Sequence, residues 1–452
     1  MKFSRKAYEY LLEWKDSPVR KPLIIRGARQ VGKSTLVRRF SKEFSNYIEV
    51  NLEREENKNL FENSRNVKEV LEALYLTTAT PKDDKDILIF LDEIQESPKA
   101  IQQLRYFYED FPGIHVIAAG SLLEFALRKV RSFPVGRVNQ YVLHPFDFEE
   151  FLLAVGRMNV LKELEVIPAK NYAHDILLDL FHQYAIIGGM PEVIKKYVTD
   201  NSMANLGMVY SDLWQSYRDD VEKYSRNHTE AKIIRHIMDT APAEKDRISF
   251  AGFGNSAYRS REVGEAFRAL DRARLIQLLY PSFNLKPPLS PAINRKPRLQ
   301  FLDTGLLNYS LGIQAGMISI KDLNDFHQGR IIQHLVTQQV LAQYSSPLFR
   351  PVFWTREKPT SSAEVDLVIQ YKQYVIPVEI KSGKQGKLRS LHQFVENAEH
   401  AFALRLLANK LSVEEVKTPG GKKFHLLNLP YYLSTKITLY IDWFIKTYQS
   451  TF

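Results

Sequence analysis

The sequence predicts an α/β protein: a parallel sheet coated by helices comes first, then helical segments, then a second, mixed α/β unit. Three observations lead there. Short apolar runs alternate with helical patterns through the N-terminal third. The stretch Gly27-Ala28-Arg29-Gln30-Val31-Gly32-Lys33-Ser34 sits between one such run and one such helix. Another run, Ile87–Leu91, ends on the carboxylate pair Asp92-Glu93.

The apolar runs are Pro22–Arg26, Tyr47–Asn51, Asp86–Leu91, Ile114–Ala119 and Gln140–Leu143. Runs this short without polar alternation are strands buried on both faces. Helices between them make the crossovers that a parallel sheet requires. From Phe146 to Ser225 the pattern is helical, broken by Gly188-Gly189-Met190-Pro191. Thr229–Thr240 and Arg259–Arg274 are amphipathic helix patterns. Leu275–Tyr280 and Arg298–Phe301 then form a hairpin, with Lys286-Pro287-Pro288 and Pro291 marking the loop. Strands follow at Val352–Trp354, Val365–Tyr371, Tyr374–Ile380 and Ala403–Leu407, with helices at Gly329–Tyr344 and Lys387–His400. The expected units are residues 1–150, 151–227, 228–300 and 301–452.

Composition narrows the chemistry. The 452 residues are 44% hydrophobic and 25% charged, an ordinary globular balance. There is no cysteine, which excludes disulfides, cysteine-bound metals and thiol nucleophiles and fits a reducing compartment. The first residues form no apolar leader, and runs such as Ile87–Leu91 are far below the ~20 residues of a membrane span. A soluble, cytoplasmic protein without a membrane partner is expected. The net charge of +10 fits a phosphate-rich partner such as DNA.

Residues 27–34 read G-x-x-x-x-G-K-S, after the strand Leu23-Ile24-Ile25 and before the helix Ser34–Phe44. Gly27 and Gly32 let the backbone curl so that N–H groups face phosphates, and the helix N-terminus adds its positive end. Lys33 reaches the β- and γ-phosphates, while Ser34 supplies a hydroxyl for Mg²⁺. Thr35 completes the ATP-binding stretch Gly27–Thr35. Asp92 suits the Mg²⁺ shell, and Glu93 is the candidate general base. Ser121, closing Val116–Gly120, is placed either to meet the attacking water or γ-phosphate, or to cap the helix Leu122–Lys129. A cation is also needed at the γ-phosphate. Arg137 is the first candidate, acting in cis or across a subunit interface, with Arg128 and Arg131 as rivals.

The order GARQVGKST, FLDEIQ, AAGS, then GR before a strand and Pro145-Phe146, resembles prokaryotic AAA+ ATPases of the archaeal-ATPase-like branch. Gly188-Gly189-Met190-Pro191-Glu192 and the segment Lys296–Leu306 (KPRLQFLDTGL) extend the resemblance over nearly the whole chain. It implies a P-loop AAA+ core with a helical lid, a winged-helix module and a C-terminal domain of the PD-(D/E)xK nuclease-like fold.

In the middle, Arg259, Arg261, Arg268 and Arg272 on one helix could meet DNA phosphates, set against Glu262, Glu265 and Asp271 on the same helix. At the C-terminal end, a two-residue turn at Lys372-Gln373 puts Tyr371 opposite Tyr374 and Asp366 opposite Glu379. Asp366, Glu379 and Lys381 then share one face, a set able to hold Mg²⁺ and activate water. Gln333 stands where nuclease-like relatives often carry glutamate. The expected function is ATP hydrolysis coupled to DNA binding or processing. The alternative is a nucleotide switch for a protein partner, or for further copies of the chain, with an inactive nuclease-like scaffold.

Overall fold

The computed structural model describes residues 3–81, 86–126, 133–314, 329–356, 363–381 and 388–449, with only the backbone of Tyr224. The first sheet holds β1 (Leu23–Arg26), β2 (Asn46–Asn51), β3 (Ile87–Asp92), β4 (His115–Gly120) and β5 (Asn139–Val142), in the order β2-β3-β4-β1-β5. All four of its pairings are parallel, as the alternation predicts. β1, β3 and β4 are buried along their whole length, so the sheet is covered on both faces. The C-terminal ends of β1, β3 and β4 therefore line one edge, where residues 27–34, 92–93 and 121 follow.

Helices occupy most of residues 148–240, and His174–Ile187 ends at Gly188. The Gly188-Gly189 turn is built around a distant carboxylate. Asp303 accepts from Gly189 N (2.5 Å) and from Leu306 N (3.1 Å), so it caps the helix Thr304–Ser310 and ties that helix to the turn. A side chain at Gly188 would strike Asp303, and one at Gly305 would strike the Ile187 carbonyl. Burial pushes the Asp303 carboxyl up to about 6.

The helices His228–Thr240 and Ser260–Arg272 are followed by β6 (Ile276–Leu279), which pairs antiparallel with β8 (Arg298–Phe301). The loop between these arms differs from a free turn. Its β7 (Pro281–Ser282) pairs parallel with β9 (Val352–Thr355) and so joins the second sheet. That sheet also contains β10 (Glu364–Tyr371), β11 (Tyr374–Ile380), β12 (Phe402–Leu407), β13 (Ser412–Lys417) and β14 (Lys423–Pro430), in the order β13-β14-β12-β11-β10-β9-β7. β13, β14 and the helix Ile437–Tyr448 are additional to the predicted elements. The expected Tyr371–Tyr374 register holds and runs to Leu367–Val378, with Lys372 in the left-handed region (φ 50°). The helix Arg330–Ala342 and the residues just after it meet the N-terminal part of the chain. Gln339 accepts from Phe148 N at 2.9 Å, and Ser345 O accepts from Val142 N at 2.8 Å.

Candidate functional site

The loop after β1 has the backbone of an anion cradle. Gly27 (φ 153°), Gln30 (φ 64°) and Gly32 (φ 95°) lie at positive φ, so successive N–H groups turn to one side. Gly27 is also required sterically, because a Cβ there would enter the Leu143 carbonyl. The helix Lys33–Phe40 starts at the loop's end. Lys33 Nζ donates to Gly27 O (3.1 Å) and Ala28 O (2.8 Å), the loop's own carbonyls. Burial pulls this ammonium down to about 8 against the raising influence of Glu93 and Asp92.

Ser34 Oγ donates to Asp92 Oδ1 at 3.0 Å, so the predicted hydroxyl–carboxylate pair is assembled. Burial raises the Asp92 pKa, with Glu93 adding to it and the Ser34 hydroxyl and Arg38 (3.9 Å away) opposing it. A Mg²⁺ ion fits this donor set, an oxygen pair beside a phosphate cradle. Glu93 stands at φ 52°, a strained position for a non-glycine residue at the strand's end. Its Oε2 accepts from Gln95 Nε2 at 2.6 Å. Gln95 in turn lies against Gly120, where a Cβ would meet its Oε1. Gly120→Ala should therefore push Gln95 off Glu93 while the fold survives, since only the end of a flexible side chain must move. ATP turnover is expected to fall about tenfold with unchanged urea unfolding, an effect of misplacement rather than collapse.

Ser121 is half-buried at the end of β4, on the same edge as Ser34 and Glu93. At the start of the helix Leu123–Ala126, Leu122 O accepts from Phe125 N (3.0 Å) and Ala126 N (3.3 Å), so Leu122, not Ser121, stands at its N-cap. Arg137 is misplaced for its expected cis role. It precedes β5, whose first residue Asn139 aligns with Leu23 at the start of β1, so it sits at the opposite edge from the phosphate cradle. There it pairs with Glu109 at 2.9 Å. Arg128 and Arg131 lie outside the described residues.

Sequence reasoning missed three partners of the loop. Arg5 Nη1 donates to Val31 O (2.9 Å) and its Nε to Glu150 Oε1 (3.1 Å), and its guanidinium lies 4.2 Å from the Phe146 ring. Arg29 pairs with Asp220 at the end of the helix Leu206–Asp219, and Tyr217 donates to Arg29 O at 3.0 Å. Gln95 is the third. Arg5 and Asp220 reach the loop only through the fold, and no local pattern announces them.

Of the four arginines predicted to meet DNA, two are engaged within the protein. Arg268 pairs with Glu265 (2.6 Å), and Arg272 lies over Phe125 (5.2 Å). Arg259 and Arg261 are exposed.

At the C-terminal end, Asp366, Glu379 and Lys381 are neighbours as expected, with Lys381 bonded to Glu379. Asp366 and its neighbour Glu364 already have partners within the protein. Asp366 accepts from Ile380 N (2.9 Å) and Gln333 Nε2 (3.2 Å), and Arg298 from β8 reaches in to Glu364 and to Asp366 (3.7 Å). Arg247 also meets Glu364, at 2.7 Å. Cations and amides meet Glu364 and Asp366, whereas the buried Oε2 of Glu379 has no hydrogen-bond partner; among the described residues no three His, Cys, Asp or Glu side chains are grouped to hold a metal. Burial and Asp366 push the Glu379 carboxyl up to about 7. Its folded pKa exceeds the ordinary 4.5, so its favourable contribution is complete below that value and is lost as pH rises through 7. Glu379→Gln should thus stabilise the protein by on the order of 1–2 kcal/mol at pH 8 and hardly at pH 4.5, as read by urea unfolding.

Three regions match known families. Residues 19–152 match the family described as an AAA domain, residues 178–316 a domain of unknown function (DUF8612), and residues 328–432 another (DUF4143). No curated protein matches the chain. Among solved structures it is similar to a Walker-type ATPase of Pyrococcus abyssi, PABY2304, at 15% identity and TM-score 0.45, covering 68% of this chain and 96% of that one. It is also similar to the Aeropyrum pernix ORC1 protein in complex with DNA (15% identity, TM-score 0.27, 70% and 92% covered). A third is the Thermotoga maritima RuvB Holliday junction branch migration motor (13%, TM-score 0.26, 61% and 89%). Among the described residues, no helix is long and apolar enough to cross a membrane. The parallel sheet, the phosphate cradle and the acidic strand end all lie within residues 19–152, the stretch that is similar to an AAA domain.

Proposed function

We propose that this protein binds ATP with Mg²⁺ at the loop 27–34, hydrolyses it, and uses the nucleotide state to rearrange the units that follow. The observation that carries the reading is the joint placement of Lys33, Ser34, Asp92 and Glu93 at one sheet edge. The loop N–H groups receive the phosphates. Lys33 exchanges its two carbonyl acceptors for phosphate oxygens, and Glu93, held by Gln95, takes the proton of the attacking water. Bound Mg²⁺, held by Ser34 and Asp92, would offset phosphate charge. Ser121 is the candidate hydroxyl at the γ-phosphate. Arg137 remains a candidate finger only across an interface between copies of the chain.

The division into core (1–150), lid (151–227), winged-helix module (228–300) and nuclease-like domain (301–452) belongs to this reading. Two helices and the β6–β8 hairpin support the third unit. The helix Arg330–Ala342, the antiparallel β9–β10–β11, the helix Arg389–Asn397 and parallel β12 support the fourth. The Arg29–Asp220 pair links the phosphate loop to the lid and is a route by which ATP would move it. DNA is the partner favoured by the charge of +10. Arg298 among the C-terminal carboxylates favours the scaffold reading of the fourth unit over a hydrolytic one.

The test is ATP hydrolysis by the wild type and Asp366→Ala, with and without plasmid DNA and Mg²⁺, and the DNA run on a gel. Hydrolysis without nicking in either protein is expected. Nicking lost in Asp366→Ala would restore a nuclease, and no hydrolysis in any condition would remove the ATPase reading.

A further inference from the structure

A second basic cleft lies apart from the ATP cradle. It measures about 540 Å³ and runs between the edge strand β5 and the segment that ends the helix Ser260–Arg272. Arg26, Arg272, Arg274 and Arg350 line it, facing two carboxylates, Glu124 and Asp271. Arg26 pairs with Glu124, yet its buried Nε has no hydrogen-bond partner. Arg350 holds Asp271 at 3.4 Å and Gln277 at 3.2 Å. Arg274 is the most costly member. It is 8% exposed and stands at φ 60°, a left-handed conformation that a non-glycine side chain disfavours. Burial, with Arg350 and Arg26 nearby, pulls its guanidinium down to about 10. A strained, desolvated cation crowded by like charges costs stability, and such costs persist where a ligand repays them.

We propose that this cleft binds the phosphate groups of a ligand, with Arg274 and Arg350 as its principal contacts. Planar guanidiniums meet phosphate through paired N–H bonds, and the excess of positive charge matches an anion of more than one negative charge. The volume admits a nucleotide-sized ligand or a short stretch of a nucleic-acid strand. Arg26 immediately precedes Gly27, so a ligand here touches the residue that leads into the ATP loop. Binding in the cleft does not depend on ATP turnover.

The test uses the Lys33→Ala protein, so that the ATP loop is not the reader. A fluorescent single-stranded oligonucleotide of roughly 20 nucleotides is titrated by anisotropy, and inorganic pyrophosphate by calorimetry. Adding Arg274→Gln and Arg350→Gln together should weaken binding at least about tenfold and reduce the salt slope by about 1.4, two contacts at ~0.7 each. Arg350→Gln alone, at a more exposed position, should give a several-fold loss should the double variant unfold in urea too early. Oligonucleotide binding without pyrophosphate binding identifies a strand, and the converse a free polyphosphate; both support the site. Unchanged affinity in Arg350→Gln and the double variant, or no binding of either probe, overturns it.

Discussion

Lys33→Met should abolish ATP turnover, by on the order of 100–1000-fold, and at the same time make the empty protein more stable. The first effect follows from removing the ammonium that meets the loop carbonyls of Gly27 and Ala28 and would turn to the phosphates. The second follows from burial. With its pKa drawn from 10.5 to about 8, the Lys33 ammonium is disfavoured in the folded protein at neutral pH. The folded pKa lies below the unfolded one, so between them the unfolded chain binds more protons and stability rises with pH. The penalty is therefore complete below about 8 and fades toward 10.5. At pH 7 it amounts to roughly 3 kcal/mol, less what the Gly27 and Ala28 carbonyls lose with their donor, leaving on the order of 2 kcal/mol. Urea unfolding of both proteins at pH 7 and pH 10 reads this directly: a gain at pH 7 that shrinks at pH 10. A loss of stability at pH 7 would mean that the two carbonyl bonds outweigh the buried charge. Turnover within tenfold of wild type would place phosphate binding elsewhere.

Much of this site is legible in sequence because it is local. The cradle, Lys33 and Ser34 occupy eight consecutive residues, and Asp92-Glu93 ends a strand whose apolar run is unbroken. The β10–β11 register was equally accessible, since a two-residue turn fixes every pair that follows. What escaped is what the fold brings from afar. Arg5 reaches Val31 across 26 residues and Glu150 across 145. Asp303 supports the Gly188-Gly189 turn from more than a hundred residues away, so two motifs that look separate form one junction. β13 (SVEEVK) was missed because its exposed face carries the charges expected of a loop, the usual protection of an edge strand. Arg137 follows the right motifs in sequence, but the parallel direction of β5 puts it at the far edge of the sheet. Arg298 altered the C-terminal reading most. Its β8 position faces carboxylates of β10, a contact between strands of two different sheets that no local pattern encodes.

Glu93→Gln should keep ATP affinity within about twofold and reduce turnover on the order of 100–1000-fold. The amide preserves size, and its carbonyl still accepts from Gln95 Nε2, so the strained turn at φ 52° has no new reason to rearrange. Ser34 and Asp92 keep their 3.0 Å contact, so binding of the phosphates is retained. Only the capacity to take a proton from water is lost. Gln95→Leu makes the complementary case: Glu93 stays ionisable but loses its 2.6 Å partner, and a smaller, about tenfold fall is expected. The pair separates a proton acceptor from a residue that positions it. Equilibrium binding of a fluorescent ATP analogue and steady-state phosphate release, measured on both variants, give the split between affinity and turnover. Loss of affinity in Glu93→Gln would make Glu93 a part of the nucleotide cradle instead. Near-normal turnover in Glu93→Gln would leave the water to another base, and the joint placement of Asp92 and Glu93 at the end of β3 would then serve metal and fold alone.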